Sequence, residues 1–211
     1  AKTEFTRIGK GPSGHANIQV DDNGQNSIVL FAGENKRITR KEVDQVLARF
    51  DRGDILLLQN EINDIPYIMK AGRKRGLKVC FNPAPFGPEI MKYPLKLVDI
   101  LILNETEGAG VSGTKKISAL ADALTRKFPK CEVLLTLGKH GVLYCFGKQR
   151  VKVPSLKVKA VDTTAAGDTF IGFYLAARAA GCHSGTFSGG EPVRQPGFVR
   201  AMAEGAPKAG L

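Results

Sequence analysis

Ile55-Leu56-Leu57-Leu58-Gln59-Asn60-Glu61 and, further along, Lys78-Val79-Cys80-Phe81-Asn82 share one design: a short unbroken apolar run that closes on polar residues. Runs of that length without alternation suit strands buried on both faces. Between them Ile65, Ile68 and Met69 recur at helical spacing, which predicts a helix over residues 64–75. The design repeats downstream. Leu97–Leu103 is a third run that ends in Asn104-Glu105, a helix is expected around 117–128, and Val133-Leu134-Leu135-Thr136 is a fourth run. Short apolar strands alternating with amphipathic helices predict βαβ units, hence an α/β fold with a mostly parallel central sheet flanked by helices. Ligands of such sheets bind beyond the carboxyl ends of the strands. Gln59-Asn60-Glu61, Asn82, Asn104-Glu105-Thr106-Glu107 and Thr136-Leu137-Gly138 stand at those ends.

Upstream, Ala16–Val20 alternates, Asp21-Asp22-Asn23-Gly24 is a turn signal, and Ser27–Phe31 follows, so a β-hairpin is predicted. Thr39 with Glu42 three residues on forms a capping-box pattern before a helix whose stripe is Val43, Val46, Leu47 and Phe50. Downstream, Val142–Phe146 and Val151–Val153 predict a second hairpin around Gly147. A strongly apolar helix follows Asp168 and is expected to stop near Gly181. Residues 182–197 read as a loop rich in Gly and Pro, before a short Ala-rich stretch.

The 211 residues are 43% hydrophobic and 24% charged, a globular balance that excludes disorder, collagen and coiled coil for the chain as a whole. No stretch approaches the ~20 apolar residues of a membrane span. Ala1-Lys2-Thr3-Glu4 lacks the apolar core of a secretory signal. Lys and Arg number 31 against 20 Asp and Glu, a net +11. Such an excess suits nucleic acid, an anionic membrane surface or small anions. Its densest run, Lys70, Arg73, Lys74, Arg75 and Lys78, falls at the end of a predicted helix, where cations complement the dipole. Trp is absent, and no basic-aromatic stripe offers a stacking platform, so neither nucleic acid nor membrane is expected as a partner. Cys80, Cys131, Cys145 and Cys182 are far apart, and His15, His140 and His183 complete no zinc pattern. Buried free thiols in a reducing, cytoplasmic compartment are expected.

The segment richest in chemistry is Asp162-Thr163-Thr164-Ala165-Ala166-Gly167-Asp168-Thr169-Phe170. Ala165, Ala166 and Gly167 sit where a strand turns into a helix. Their small side chains let an anion approach the first helical N–H groups, which have no internal partner. Asp168 stands at the mouth of that cradle, where a carboxylate can take a proton from an attacking hydroxyl. Taken alone, the segment reads equally as a first-turn charge complement with small residues for tight packing.

The same segment resembles the C-terminal signature of the ribokinase-like (PfkB) carbohydrate kinases. Asn104-Glu105-Thr106-Glu107 matches that family's Asn-x-x-Glu motif, and Thr136-Leu137-Gly138-Lys139-His140-Gly141 resembles its nucleotide-site strand and turn. The path from Ser13 to Gly181 follows the family in order. Leu58-Gln59-Asn60-Glu61, Asn82-Pro83-Ala84-Pro85 and the Ala-Ala-Gly-Asp form of the signature point to its ribose-phosphorylating members. The resemblance implies an ATP-dependent sugar kinase that moves the γ-phosphoryl group to a sugar hydroxyl, D-ribose giving ribose 5-phosphate. Fructose, ketodeoxygluconate and nucleosides are the alternatives within the family. A non-catalytic nucleotide-binding or regulatory remnant is the alternative outside catalysis.

Residue by residue, the resemblance implies that Asp168 is the catalytic base and lies against the sugar, with Ala165, Ala166 and Gly167 as the anion hole. Asn104, Gly167 and Thr136, Leu137, Gly138, Lys139, His140 and Gly141 would bind ATP. Glu107 would serve Mg2+ through water. Glu61 would hydrogen-bond the sugar, although after a strand it also reads as a cap for the next helix. His140 by itself reads as an exposed turn residue. Asp162 and the Thr164 carbonyl would hold a monovalent cation, K+. The family runs well beyond this length. Residues 1–211 are therefore expected to form one incomplete domain, with 1–35 a residual β lid, 36–181 the α/β core with the nucleotide site, and 182–211 a loop and partial helix. The N-terminal Gly-Gly sugar motif and much of the lid are not found, so weak sugar phosphorylation and poor stability are expected. Pairing of two full-length chains through lid sheets is also implied.

Overall fold

The computed structural model describes residues 4–21, 26–156 and 165–179. Strands β1 (His15–Val20) and β2 (Asn26–Phe31) come first, then helix α1 (Arg40–Leu47), strand β3 (Ile55–Gln59), helix α2 (Ile65–Lys74) and strand β4 (Lys78–Asn82). Strand β5 (Ile100–Asn104), helices α3 (Glu105–Ser112) and α4 (Ile117–Lys127), strands β6 (Glu132–Thr136), β7 (Val142–Phe146) and β8 (Gln149–Val153), and helix α5 (Ala166–Ala179) complete the order. β1 and β2 form a two-stranded antiparallel sheet, and β3 to β8 lie in sequence order in a six-stranded sheet. β3–β4 and β4–β5 pair in parallel, whereas β6–β7 and β7–β8 pair antiparallel. The sheet thus follows the predicted α/β pattern, with a meander at its β8 end. Residues 1–101 and 102–211 form two compact units.

Within residues 1–101 the core gathers Leu47, Leu58, Ile65, Ile68, Met69, Val79, Cys80 and Phe81, all buried. α1 starts as its sequence predicts: the Thr39 hydroxyl accepts from the Glu42 N–H, and the Glu42 carboxylate accepts from the Thr39 N–H at 2.7 Å. That pairing holds the Glu42 carboxyl below its usual range. The helix ends at Leu47, so Phe50 falls beyond the predicted stripe and is exposed. α2 approaches β3 closely at Gly72, where a Cβ would meet Leu56 at 2.5 Å. The basic run decorates the exposed end of α2, and Arg73 reaches both oxygens of Asp99 at 2.7 and 2.6 Å. The hairpin forms at the predicted strands, its turn lying outside the described residues. The sequence shows no partner for His15, but its ring stands 4.9 Å from that of Phe31.

Within residues 102–211 the core includes Leu103, Val111, Leu120, Leu124, Val133, Leu134, Leu135, Tyr144 and Cys145, all buried. Two boundaries differ from expectation. The third apolar run is a strand only from Ile100, because Leu95–Leu97 forms a 3-10 turn behind Pro94. A short helix, α3, begins directly after β5 and precedes the expected helix. Cys80, Cys131 and Cys145 are buried as expected, and burial pushes the Cys145 thiol up to about 11. Cys182, Gly181 and residues 182–211 lie outside the described residues. Among the described residues no helix is long and apolar enough to cross a membrane.

Candidate active site

Asn104 closes β5 and caps α3. Its side-chain oxygen accepts from the Glu107 N–H at 2.9 Å, and the Glu107 carboxylate accepts from the Asn104 N–H at 2.9 Å. A third bond runs from the Asn104 amide to the other Glu107 oxygen at 2.9 Å. The Asn-x-x-Glu motif is thus a capping box, with Glu107 buried and Asn104 left at the surface. Gly108, next in the chain, lets α3 lie against the sheet: a Cβ there would stand 3.1 Å from Leu135 and 3.2 Å from Leu103. Glu107→Gln puts an amide N–H against one of the two Asn104 donors. The variant is expected to lose about 1–2 kcal/mol, read as a melting temperature about 3–6 °C lower. An unchanged melt would sink the claim that this box holds the end of β5.

Thr136 closes β6 beside β5, and its hydroxyl donates to the Leu103 carbonyl at 3.4 Å. The next residues fold into a tight turn. The Leu137 N–H donates to the Gly141 carbonyl at 2.8 Å, and Gly138–His140 forms one 3-10 turn between them. Gly138 stands at φ 50° with nothing among the described residues within 4 Å of a would-be Cβ, whereas Gly141 stands at φ 89° with its Cβ position 1.9 Å from the Val153 carbonyl oxygen. The two glycines therefore do different work. One leaves open space at the strand end, and the other permits contact with the end of β8. Lys139 and His140 are exposed, and the Ser155 hydroxyl donates to the Lys139 carbonyl.

α5 starts from a strained residue. Ala165 has φ 59°, a left-handed conformation that costs a non-glycine residue about 1–2 kcal/mol. The Ala165 carbonyl accepts from the Thr169 N–H at 2.9 Å, so the N–H groups of Ala166, Gly167 and Asp168 precede the helix's own ladder. All four residues from Ala165 to Asp168 are exposed, and among the described residues nothing lies within 4 Å of the Gly167 Cβ position. The small residues Ala166 and Gly167 thus stand in the first turn of α5, with the acidic Asp168 beside them. Asp162 and Thr164, the expected cation ligands, lie outside the described residues.

In residues 1–101, Glu61 follows β3 and is exposed. The polar residues beside it are structural. Gln59 donates to the Asn82 side chain at 3.0 Å, across the ends of β3 and β4. Asn60 is buried and donates to the Pro85 carbonyl and the Glu89 carboxylate, both at 2.9 Å, while accepting from the Tyr93 hydroxyl at 2.8 Å. Asn60 thus clamps the Pro83–Glu89 loop under the strand end and fixes the backbone that presents Glu61. Among the described residues no buried side-chain polar atom lacks a partner.

A family model described as "pfkB family carbohydrate kinase" matches residues 2–187. The chain belongs to the PfkB carbohydrate kinase family. Among its relatives, the deoxyribokinase of Salmonella typhimurium is 35% identical over 170 residues, covering 77% of this chain and 55% of the relative. The ribokinase of Haemophilus influenzae is 36% identical over 182 residues, covering 83% and 59%. The structure of Arabidopsis thaliana ribokinase complexed with ribose and ATP superposes with a TM-score of 0.64 at 28% identity, over 82% of this chain and 58% of that one. The chain thus spans somewhat more than half the length of the curated relatives it matches. Within the PfkB frame the capping box, the glycine turn and the start of α5 carry the family's motifs. The sequence treats Asn104 and Glu107 as ligand-facing, yet they hold each other first. Their spacing is that of Thr39 and Glu42, but spacing alone leaves the pairing open until the backbone is in place.

Among the described residues no three His, Cys, Asp or Glu side chains gather as a metal cage. Mg2+ keeps several waters and binds through one or two carboxylates together with substrate phosphates. At the end of β5, the two oxygens of the Glu107 carboxylate each accept one bond from Asn104.

Proposed function

We propose that this chain carries the nucleotide-binding and phosphoryl-transfer portion of an ATP-dependent sugar kinase whose acceptor is a pentose, D-ribose. The observation that supports it is the start of α5, where a strained Ala165 sets the first helical N–H groups, outside the helix's own ladder, at an exposed surface beside the Asp168 side chain. Donors so placed stabilise charge on a transferring phosphoryl group. In this reading Asp168 takes the proton of the sugar's primary hydroxyl as its oxygen forms the bond to the γ-phosphorus. The bond to the bridging oxygen breaks, and ADP leaves. Asn104 and the Thr136–Gly141 turn line the nucleotide, with the open face of Gly138 toward it. Glu107 would hold Mg2+ through water, and Mg2+ supplies charge neutralisation between the phosphates. Asp162 and Thr164 would hold K+. The relative named deoxyribokinase favours a second acceptor, 2-deoxy-D-ribose. Two copies pair through the exposed apolar β1–β2 ribbon, where Ile18, Val20, Ile28, Val29, Leu30 and Phe31 all face solvent. The compartment is cytoplasmic.

The test is ADP release from Mg-ATP with D-ribose, 2-deoxy-D-ribose or no sugar, in K+ and then in Na+. Ribose-dependent release that requires K+ is the expected signature. Release with 2-deoxyribose alone would transfer the reading to that sugar. Nucleotide binding without release from any sugar would leave a nucleotide-binding portion that does not complete catalysis by itself.

A further inference from the structure

α5 carries the Ala166–Asp168 segment at its first turn, and among its described side chains Ile171 is buried. A polar attachment lies at the other end. Arg178 grips Glu132 on β6 through both guanidinium nitrogens, at 2.6 Å to Oε1 and 2.7 Å to Oε2. Tyr174, one turn earlier and on the same face, donates to Glu132 Oε2 at 3.1 Å. Tyr144 on β7 reaches the same oxygen at 3.5 Å. The Glu132 side chain is only 15% exposed and that of Arg178 only 27%, so the pair is shielded from solvent. Burial, reinforced by the Glu132 charge, raises the Tyr144 and Tyr174 phenols far above their usual range. For Arg178, burial opposes the charge but the Glu132 carboxylate outweighs it. The four groups join β6, β7 and α5 at one point.

We infer that Glu132, Arg178 and Tyr174 form a positioning latch that sets the tilt of α5 and thereby the place of the Ala166–Asp168 cradle. This rests on the phosphoryl-transfer reading of that cradle. The lever is simple. A helix rises ~1.5 Å per residue, so Asp168 lies about 15 Å along the axis from Arg178. A tilt of about 10° at the latch moves the first turn by about 2–3 Å, and a misplacement of about 1 Å can lower a rate a hundredfold. A bidentate guanidinium–carboxylate pair fixes direction as well as distance, which a hydrophobic contact does not. Glu132 is thus a positioning residue that meets neither substrate nor nucleotide.

The test compares the wild type with Glu132→Gln and with the double variant Glu132→Leu/Arg178→Met. The double variant removes both charges and so leaves no buried charge unpaired; such replacements commonly keep the fold. The expected result has two parts. Amide exchange over residues 169–175 rises at least about tenfold in both variants, with β6 and β7 amides unchanged. In sugar-dependent ADP release, kcat falls about tenfold or more while the KM for ATP moves less than about twofold. Exchange in α5 equal to wild type in a double variant that melts as wild type would overturn the latch. So would a loss of activity that only tracks the folded fraction. If no version turns over sugar, the function reading fails and the exchange measurement still decides the latch.

Discussion

Asp168→Asn is expected to lower sugar-dependent ADP release by about 10²–10⁴-fold, the usual contribution of a positioned general base. The substitution is nearly isosteric. It stands on an exposed first turn, so the fold should survive it. The affinity for ATP should fall little, because the cradle donors are backbone N–H groups that asparagine leaves in place. The combination of a large loss in kcat and a small change in nucleotide affinity separates a base from a mere charge complement at the helix start. If the variant matched the wild type in kcat, Asp168 would only complement the dipole, a role worth about 0.3–1 kcal/mol. The comparison requires only a preparation in which the wild-type chain shows sugar-dependent release.

Gly141→Ala should be the most destabilising small change in the Leu137–Gly141 turn. The new Cβ would lie 1.9 Å from the Val153 carbonyl oxygen and 2.8 Å from Pro154 backbone atoms, on a residue at φ 89°. Neither neighbour is a side chain that can swing away, so the end of β8 must separate from the turn. The expected loss is about 3 kcal/mol or more, or about 6–12 °C in melting temperature. Gly138→Ala is the matched control: a positive φ of 50° but nothing in the way. It should cost only about 1–2 kcal/mol. Equal losses at the two positions would show that the carbonyl contact is irrelevant.

How far the fold was legible in the sequence follows from what each signal depends on. The β3–α2–β4 pattern was readable because its apolar runs and helical stripe are local. So was the β7–β8 hairpin, whose strands flank a glycine. The start of β5 was not, because Leu97 and Val98 are as apolar as Ile100 and only the geometry after Pro94 turns the chain there. Phe50 looked like the next member of the α1 stripe, but the helix stops a turn earlier at Leu47. At the candidate site, residue type was legible and partnership was not. Asn104 and Glu107 could be seen as a motif, yet their mutual capping emerges only with the backbone in place. Glu132 had no local signature at all, since its partners Tyr174 and Arg178 lie far along the chain.

The change of strand direction along the six-stranded sheet also bears on how the chain finds its structure. Phe146 pairs with Gln149, so β7 and β8 are joined through Gly147 and Lys148 alone, with Gly147 at φ 54°. Such a ribbon needs almost no loop closure and forms in about 1–10 μs. β3 and β4 run parallel, so α2 must form and dock before their ladder can close. Pairing that waits on a crossover is slower, because chain entropy is lost before any contact returns it. The strands that brace the glycine turn can therefore assemble from neighbouring residues alone, while the parallel pairs depend on the kinetics of a more distant search.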